Sequence, residues 1–282
     1  MTNILKAIYN IVNHMEHTTR DDNVSSRNRM NEMGGALESY MKDAFSGTFQ
    51  VADEQERNRL YSQCFSWLGN QNNPPDFMIR KGDAVEVKKI ESLNSDLALN
   101  SSYPKSKLSS DSSMITKGCK SCEDWDTKDI IYSTGCVKKK KIRSLWLIYG
   151  SIYAADNDIY ENMMNKISEG IKAISDIELG ETKELGRVNR VDPLGITNLR
   201  IRGMWSIQNP RKVFEYIQPQ LNEVIFELIA IIPQDKYNQF DEESKALLEG
   251  IDNNNFVILD VQVKNPNNPA HLINSKLIKF SF

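Results

Sequence analysis

The 282 residues carry 35 basic and 38 acidic side chains, a formal net charge of −3. This excludes a polycation held to its partner by bulk electrostatics, although local clusters still act within a Debye length of roughly 8 to 10 Å. A hydrophobic fraction of 40% and a charged fraction of 26% are those of an ordinary globular chain, and no run reaches the roughly 18 to 20 apolar residues of a membrane helix.

The N-terminal stretch MTNILKAIYNIVNHMEH is amphipathic, with neither a basic leader nor a small-residue cleavage site. It predicts a helix over about 3–17 in a cytoplasmic protein. The polar TTRDDNVSSRNR reads as a loop. In RMNEMGGALESYMKDAF the apolar positions Met33, Leu37, Tyr40, Met41 and Ala44 recur at three-four spacing, the mark of a helix with one buried face. A short helix over ADEQERNRLYSQ follows, then the loop LGNQNNPP and a β-hairpin, DFMIR and AVEVKKI around Lys81-Gly82-Asp83.

Residues 92–128 are rich in serine, asparagine and lysine, yet Leu97, Leu99, Tyr103, Leu108, Met114, Ile115 and Trp125 punctuate them. A connection this long, with this much apolar content, predicts an ordered functional loop. Two strands, DIIYSTG and SLWLIYGSIYA, are joined by CVKKKKIR, and the second is apolar on both faces, as a covered central strand would be. A helix over 158–174 comes next. The later chain offers a Gly/Pro-punctuated strand pair in GRVNRVDPLGITNLRIRGMWSIQNP, a helical turn at 211–220 and a buried strand FELIAIIP. The helix DEESKALLEGI and two closing strands, FVILDVQVKNPNN and KLIKFSF, complete it. There is no repeat and no clear linker, so one α/β domain spans 1–282. Its N-terminal helices cover 1–45 and a core covers 72–176.

The four cysteines suggest no disulfide scaffold. Cys119 and Cys122 form a CxxC, but the second half of a zinc site is missing. Reduced thiols in or near the core are therefore expected, with structural zinc as the lesser reading. The three histidines, His14, His17 and His271, show no ligand spacing and are expected at the surface.

The hairpin carries the chemistry. Glu86 and Lys88 lie two apart on one strand and so face one side. Asp76, at the start of the partner strand, can meet them there. Two adjacent carboxylates raise each other's pKa unless a cation lies between them. Hard cations such as Mg²⁺ take carboxylate oxygens, and a neighbouring lysine can orient water or stabilise charge on phosphorus. The set suits metal-assisted hydrolysis of a phosphodiester. Lys89 faces the other way.

Pro75-Asp76, nine residues, then Glu86-Val87-Lys88 resembles the signature of the PD-(D/E)XK nucleases. The segments GNQNNPPD, LALNSSYPKSKLSSDSSMI, CEDW…KDIIY, DPLGITNLRIRGMW and NPNNPAHLINSKLIKF are similar to the NgoPII-type restriction endonucleases, from about residue 28 to the end. The resemblance implies a restriction-endonuclease-like α/β core, a mixed central β-sheet flanked by helices, with DNA-recognition insertions. It implies Mg²⁺, with Mn²⁺ as a substitute, on Asp76, Glu86 and the Val87 carbonyl. Lys88 would help activate the attacking water, and Glu38 on the preceding helix would support the site. The family cuts double-stranded DNA at short palindromes, GGCC in the type member, leaving 5′-phosphate ends. A homodimer follows, since two-fold symmetric sites match a palindrome.

The segments 92–128 and 185–210 are the expected recognition elements. Asn100, Ser101, Ser102, Lys105 and Lys107 offer short polar groups and two cations directly after the catalytic strand. A solvated polar loop is the bland alternative. Arg200 and Arg202 alternate on one strand face before Trp205; arginine forks onto guanine, so a GC-rich site suits them, while salt bridges to local acids are the alternative. Lys138 to Lys141 reads as a solvated turn or a non-specific phosphate contact. A structure-selective repair nuclease on the same core, a catalytically silent DNA-binding protein and a salt-bridged hairpin are the competing readings.

Overall fold

The computed structural model describes residues 1–14, 16–19, 29–70, 73–182, 184–219 and 225–282, without the side chains of 29–34. The helices are α1 (Ile4–Val12), α2 (Arg29–Ser46), α3 (Glu54–Cys64), α4 (Lys117–Lys120), α5 (Asn157–Lys172), α6 (Pro210–Val213), α7 (Gln234–Gln239) and α8 (Glu242–Glu249). The first seven strands are β1 (Phe65–Trp67), β2 (Phe77–Ile79), β3 (Ala84–Ile90), β4 (Leu97–Asn100), β5 (Lys107–Ser109), β6 (Thr127–Lys138) and β7 (Lys141–Tyr149). The other seven are β8 (Glu178–Leu179), β9 (Gly186–Asn189), β10 (Leu199–Ile201), β11 (Trp205–Ile207), β12 (Glu227–Pro233), β13 (Phe256–Asn265) and β14 (Asn268–Ser281).

A mixed sheet in the order β1-β2-β3-β6-β7-β12-β14-β13 forms the centre, with β5 added to β6. The β3/β6 and β7/β12 pairs are parallel and the other neighbours antiparallel. Apolar side chains on both faces drive β7 and β12 to the middle: Leu145 to Tyr149 and Leu228 to Ile232 are all buried. Helix α2 lies across β3 and β6 and buries Leu37, Tyr40, Met41 and Ala44, the stripe its spacing predicts; the side chain of Met33 is outside the described ones. Full burial of each such large side chain contributes about 1.5–3 kcal/mol. The result is the mixed α/β core expected, a restriction-endonuclease-like one.

The N-terminal helix stops earlier than its pattern predicts. Asn3 Oδ1 accepts the Leu5 and Lys6 N–H groups to start it, and Asn13 ends it. The chain then turns inward, because Thr18 bridges Lys141 and the Thr19 N–H donates to the Lys140 carbonyl. His17 is thereby buried, not exposed as expected. Its ring stacks on Phe226 at 3.7 Å and its Nδ1 shares a 3.1 Å hydrogen bond with Tyr40 Oη. His14 stacks on Phe49, and His271 is exposed as expected. Most of the predicted loop TTRDDNVSSRNR lies outside the described residues.

The lysine run is also more regular than a linker. Strand β6 continues through Lys138 and β7 begins at Lys141, leaving Lys139 and Lys140 as a two-residue turn with φ of 49° and 65°. Positive φ at both centres is the type I′ geometry that matches hairpin twist. The long connection over 92–128 is ordered into β4, β5 and α4. The Gly/Pro-punctuated region divides: β9 and β10 pair with each other, with β8 on the far edge, while β11 leaves to pair with β4. Cys119 is buried in the main core with Sγ 3.7 Å from Met78 Sδ, and Cys136 is buried in a separate cluster with Ile90 and Leu97. Those thiols do not share one tetrahedron. Among the described residues, no helix is long and apolar enough to cross a membrane.

Candidate active site

The hairpin β2–β3 pairs Phe77 with Val85 and Met78 with Ala84, which sets Asp76 beside Glu86 and Val87. Apolar Phe77, Met78, Ile79, Ala84 and Val85 are all buried, so both faces of the hairpin pack against the core here. Asp76 is seated from behind by the β1–β2 loop. Gly69 has φ of +85°, and a Cβ there would lie 2.1 Å from the Asp76 carbonyl oxygen, so only glycine allows that approach. The Trp67 indole N–H donates to the Pro75 carbonyl at 3.3 Å.

At the site the Val87 N–H donates to Asp76 Oδ2 at 2.6 Å. Lys88 Nζ donates to Glu86 Oε1 at 2.6 Å. Glu86 Oε2 is buried and has no hydrogen-bond partner among the described residues. Burial first, and then the Glu86 charge, push the Asp76 carboxyl up to about 8. Burial opposes the Lys88 charge, but Glu86 and Asp76 outweigh it and hold the ammonium above its ordinary value. Glu38 reaches the site from α2: its charge acts on both Asp76 and Lys88. Its Oε1 accepts from Lys42 Nζ at 2.6 Å, and Lys42 in turn donates to the Leu68 carbonyl at 3.0 Å.

The site's far end is braced by charges that strand pattern alone does not disclose. Asp83, read as part of a polar turn, is buried. It accepts from Tyr149 Oη at 2.6 Å and from Lys236 Nζ at 2.6 Å, and Lys236 also binds Asp129 at 2.7 Å. The hairpin is held rigid at its turn while the opposite end carries the acids.

This donor set fits a hard divalent cation. Among the described residues no cluster of three or more His, Cys, Asp and Glu side chains is placed to hold a metal; the two carboxylates Asp76 and Glu86 stand together here. An orphaned buried carboxylate oxygen on Glu86, and an Asp76 that burial and its neighbour drive towards its protonated form, are both relieved by a cation.

The expected DNA-facing residues divide into groups. Strand β11 pairs with β4, setting Trp205 opposite Asn100, so the two predicted recognition segments meet. Asn100, with φ of 54°, and Ser101 are exposed, and Ser102 is half-buried. Trp205 is half-buried, edge-on to Tyr103 at 6.2 Å and Tyr160 at 5.6 Å. It braces the segment from within. Lys107 is exposed and 3.5 Å from Asp129. Arg200 and Arg202 do share a face, and both bind Glu184, Arg200 by two hydrogen bonds of 2.6 and 2.9 Å. Lys105 is the correction here. Expected to contact DNA, it is only 3% exposed, and its backbone N–H donates to Tyr132 Oη at 2.7 Å.

A hairpin presenting a half-buried acid pair and a lysine within a mixed, helix-flanked sheet fits a nuclease of the restriction-endonuclease class. A family model described as NgoPII restriction endonuclease matches residues 2–264. The chain is 52% identical over 279 residues to the type II restriction enzyme NgoPII of Neisseria gonorrhoeae, covering 99% of each. The chain belongs to the NgoPII restriction endonuclease family and is a restriction endonuclease, a phosphodiester hydrolase. No solved structure gives a significant match.

Proposed function

We propose that the chain is a type II enzyme that, with Mg²⁺, cuts both strands of duplex DNA at a short, palindromic, GC-rich site related to GGCC. It acts in the cytoplasm as a homodimer. The observation that carries this reading is the acid pair itself: Asp76 and Glu86 side by side, half-buried, with one Glu86 oxygen unpartnered among the described residues and Lys88 alongside.

Asp76, Glu86 and the Val87 carbonyl would hold the cation, which supplies Lewis-acid neutralisation of the scissile phosphate when bound. The chain's own groups supply the rest. Asp76 is locked by the Val87 N–H, so the acid pair needs little reorganisation as charge develops. Lys88 exchanges its bond to Glu86 for the attacking water and the phosphate oxygens, orienting the first and stabilising the second. Glu38, tied to Lys42, keeps α2 registered on the site. Attack in line with the leaving 3′-oxygen gives a 5′-phosphate and a 3′-hydroxyl.

Asn100, Ser101, Ser102, Lys107, Arg200 and Arg202 would form the recognition face, with Trp205 behind it. Phosphate contacts give affinity and base-edge contacts give the sequence. Digestion of a phage DNA of known sequence in Mg²⁺, followed by sequencing of the fragment ends, tests this reading. Discrete fragments ending in one palindrome support it. A smear points to a non-specific nuclease, and intact DNA to a silent binding protein.

A further inference from the structure

Lys105 is the buried charge that the mechanism leaves unused. Its Nζ donates to Ser102 Oγ at 2.5 Å and to the Tyr103 carbonyl at 3.2 Å, and it lies 3.6 Å from Met114 Sδ and 5.0 Å from the Tyr103 ring centre. No carboxylate is within ion-pair distance of it among the described residues. Its main chain is clamped from both sides: the Lys105 N–H donates to Tyr132 Oη at 2.7 Å, and the Tyr132 hydroxyl donates to the Lys105 carbonyl at 3.2 Å. Tyr132 is the register partner of Glu86 across β3 and β6. The backbone around Lys105 is pressed close as well, since a Cβ on Gly150 would lie 2.5 Å from the Lys105 carbonyl oxygen.

Beside this clamp lies a small cavity whose wall includes both Glu86 and Lys105, with Pro74, Ser102, Tyr103 and Tyr132 among its other lining residues. Too buried to reach a DNA phosphate, the ammonium shares this cavity with Glu86. Burying a lysine without a carboxylate partner is costly, and nothing in the packing of a loop requires it.

Building on the nuclease reading above, we infer that Lys105 is a positioning residue of the catalytic centre. It is a fixed positive charge beside Glu86 that weakens the acid pair's hold on a divalent cation and so sets the cation concentration at which the enzyme becomes active. Burial pushes the ammonium down to about 8, with Glu86 opposing that fall and Lys88 adding to it, so it is largely charged at neutral pH. Through Ser102 the same ammonium ties the recognition segment to the acid pair.

The test is calorimetric titration of Mn²⁺ into the full-length protein at pH 7, without DNA. Wild type is compared with Lys105→Met, Lys105→Arg, Asp76→Asn and the exposed hairpin-tip variant Lys139→Met. Lys105→Met, which keeps the packing and removes the charge, is expected to bind Mn²⁺ about five- to tenfold more tightly, the scale of one charge acting on a divalent ion across a partly wet pocket. Lys105→Arg and Lys139→Met should bind as wild type does. Mn²⁺ affinity unchanged or weakened in a Lys105→Met protein that melts like wild type overturns the inference. Should that variant fail to fold, Lys105→Gln is read by the same criterion. Loss of the nuclease reading is distinguishable, because there wild type and Asp76→Asn would bind Mn²⁺ alike.

Discussion

Asp76 stands between two demands. In the proposed site its carboxyl holds a cation, yet burial and Glu86 disfavour its charge in the free protein. Asp76→Asn is therefore expected to abolish cleavage while raising the stability of the metal-free protein by about 1 kcal/mol, the usual direction when a buried like-charge repulsion is removed. Thermal melts in EDTA and in Mg²⁺ check it: the variant should melt above wild type in EDTA and gain nothing from Mg²⁺. His17 supplies a second, independent prediction. Burial, helped by the charge of His14, lowers its pKa to about 4, below the unfolded value of about 6.5. Between those values the unfolded chain binds the proton and the folded chain does not. The contribution is complete above pH 6.5 and is lost as the pH falls toward 4, about 2 kcal/mol of it by pH 5. Urea midpoints at pH 7 and pH 5 should show that loss in wild type and a smaller one in His17→Phe.

At the scale of elements, the β9–β10 hairpin presents its arginines already paired. Glu184 holds both Arg200 and Arg202, and those charges hold its carboxyl down to about 2. In the proposed recognition face, DNA competes with Glu184 for the two forks. Arg200→Ala with Arg202→Ala should weaken target binding in Ca²⁺ by about 1–3 kcal/mol for each guanine no longer read and affect non-target DNA less. Glu184→Gln should tighten binding to both and narrow the gap between them, measurable by gel shift at two salt concentrations. The elements that sequence exposes well are those governed by local pattern. The hairpin β2–β3, the stripe of α2 and the doubly apolar β7 all follow from period and burial. Pairings between distant segments do not: nothing local announces that β11 crosses to β4, or that Asp83 is buried by Tyr149 and Lys236. Lys105 escapes a sequence reading for the same reason, since its clamp on Tyr132 joins residues 27 apart in sequence. The proposed triad can be read from the sequence because its three members lie within 13 positions on one hairpin and their chemistry makes sense only together.

For the whole molecule, a net charge of −3 means that affinity for DNA must come from a localised face and fall steeply with salt. The proposed palindromic target has two identical half-sites, and on that reading one chain carrying one acid pair acts in two copies to cut both strands at symmetric positions. Light scattering at micromolar concentration is expected to give the mass of two chains, and the mass of one chain in both the absence and presence of target DNA would rule out the dimer. The measurement that bears most directly on the central claim is cleavage of a target duplex in Mg²⁺ by wild type, Asp76→Ala, Glu86→Gln and Lys88→Ala, each confirmed folded by its melting curve. The predicted result is cutting by wild type and a loss of about 10³-fold or more in every variant, the scale of removing a group that acts only in the transition state. Cutting at the wild-type rate by any of the three would contradict the assignment of the hairpin as the catalytic centre.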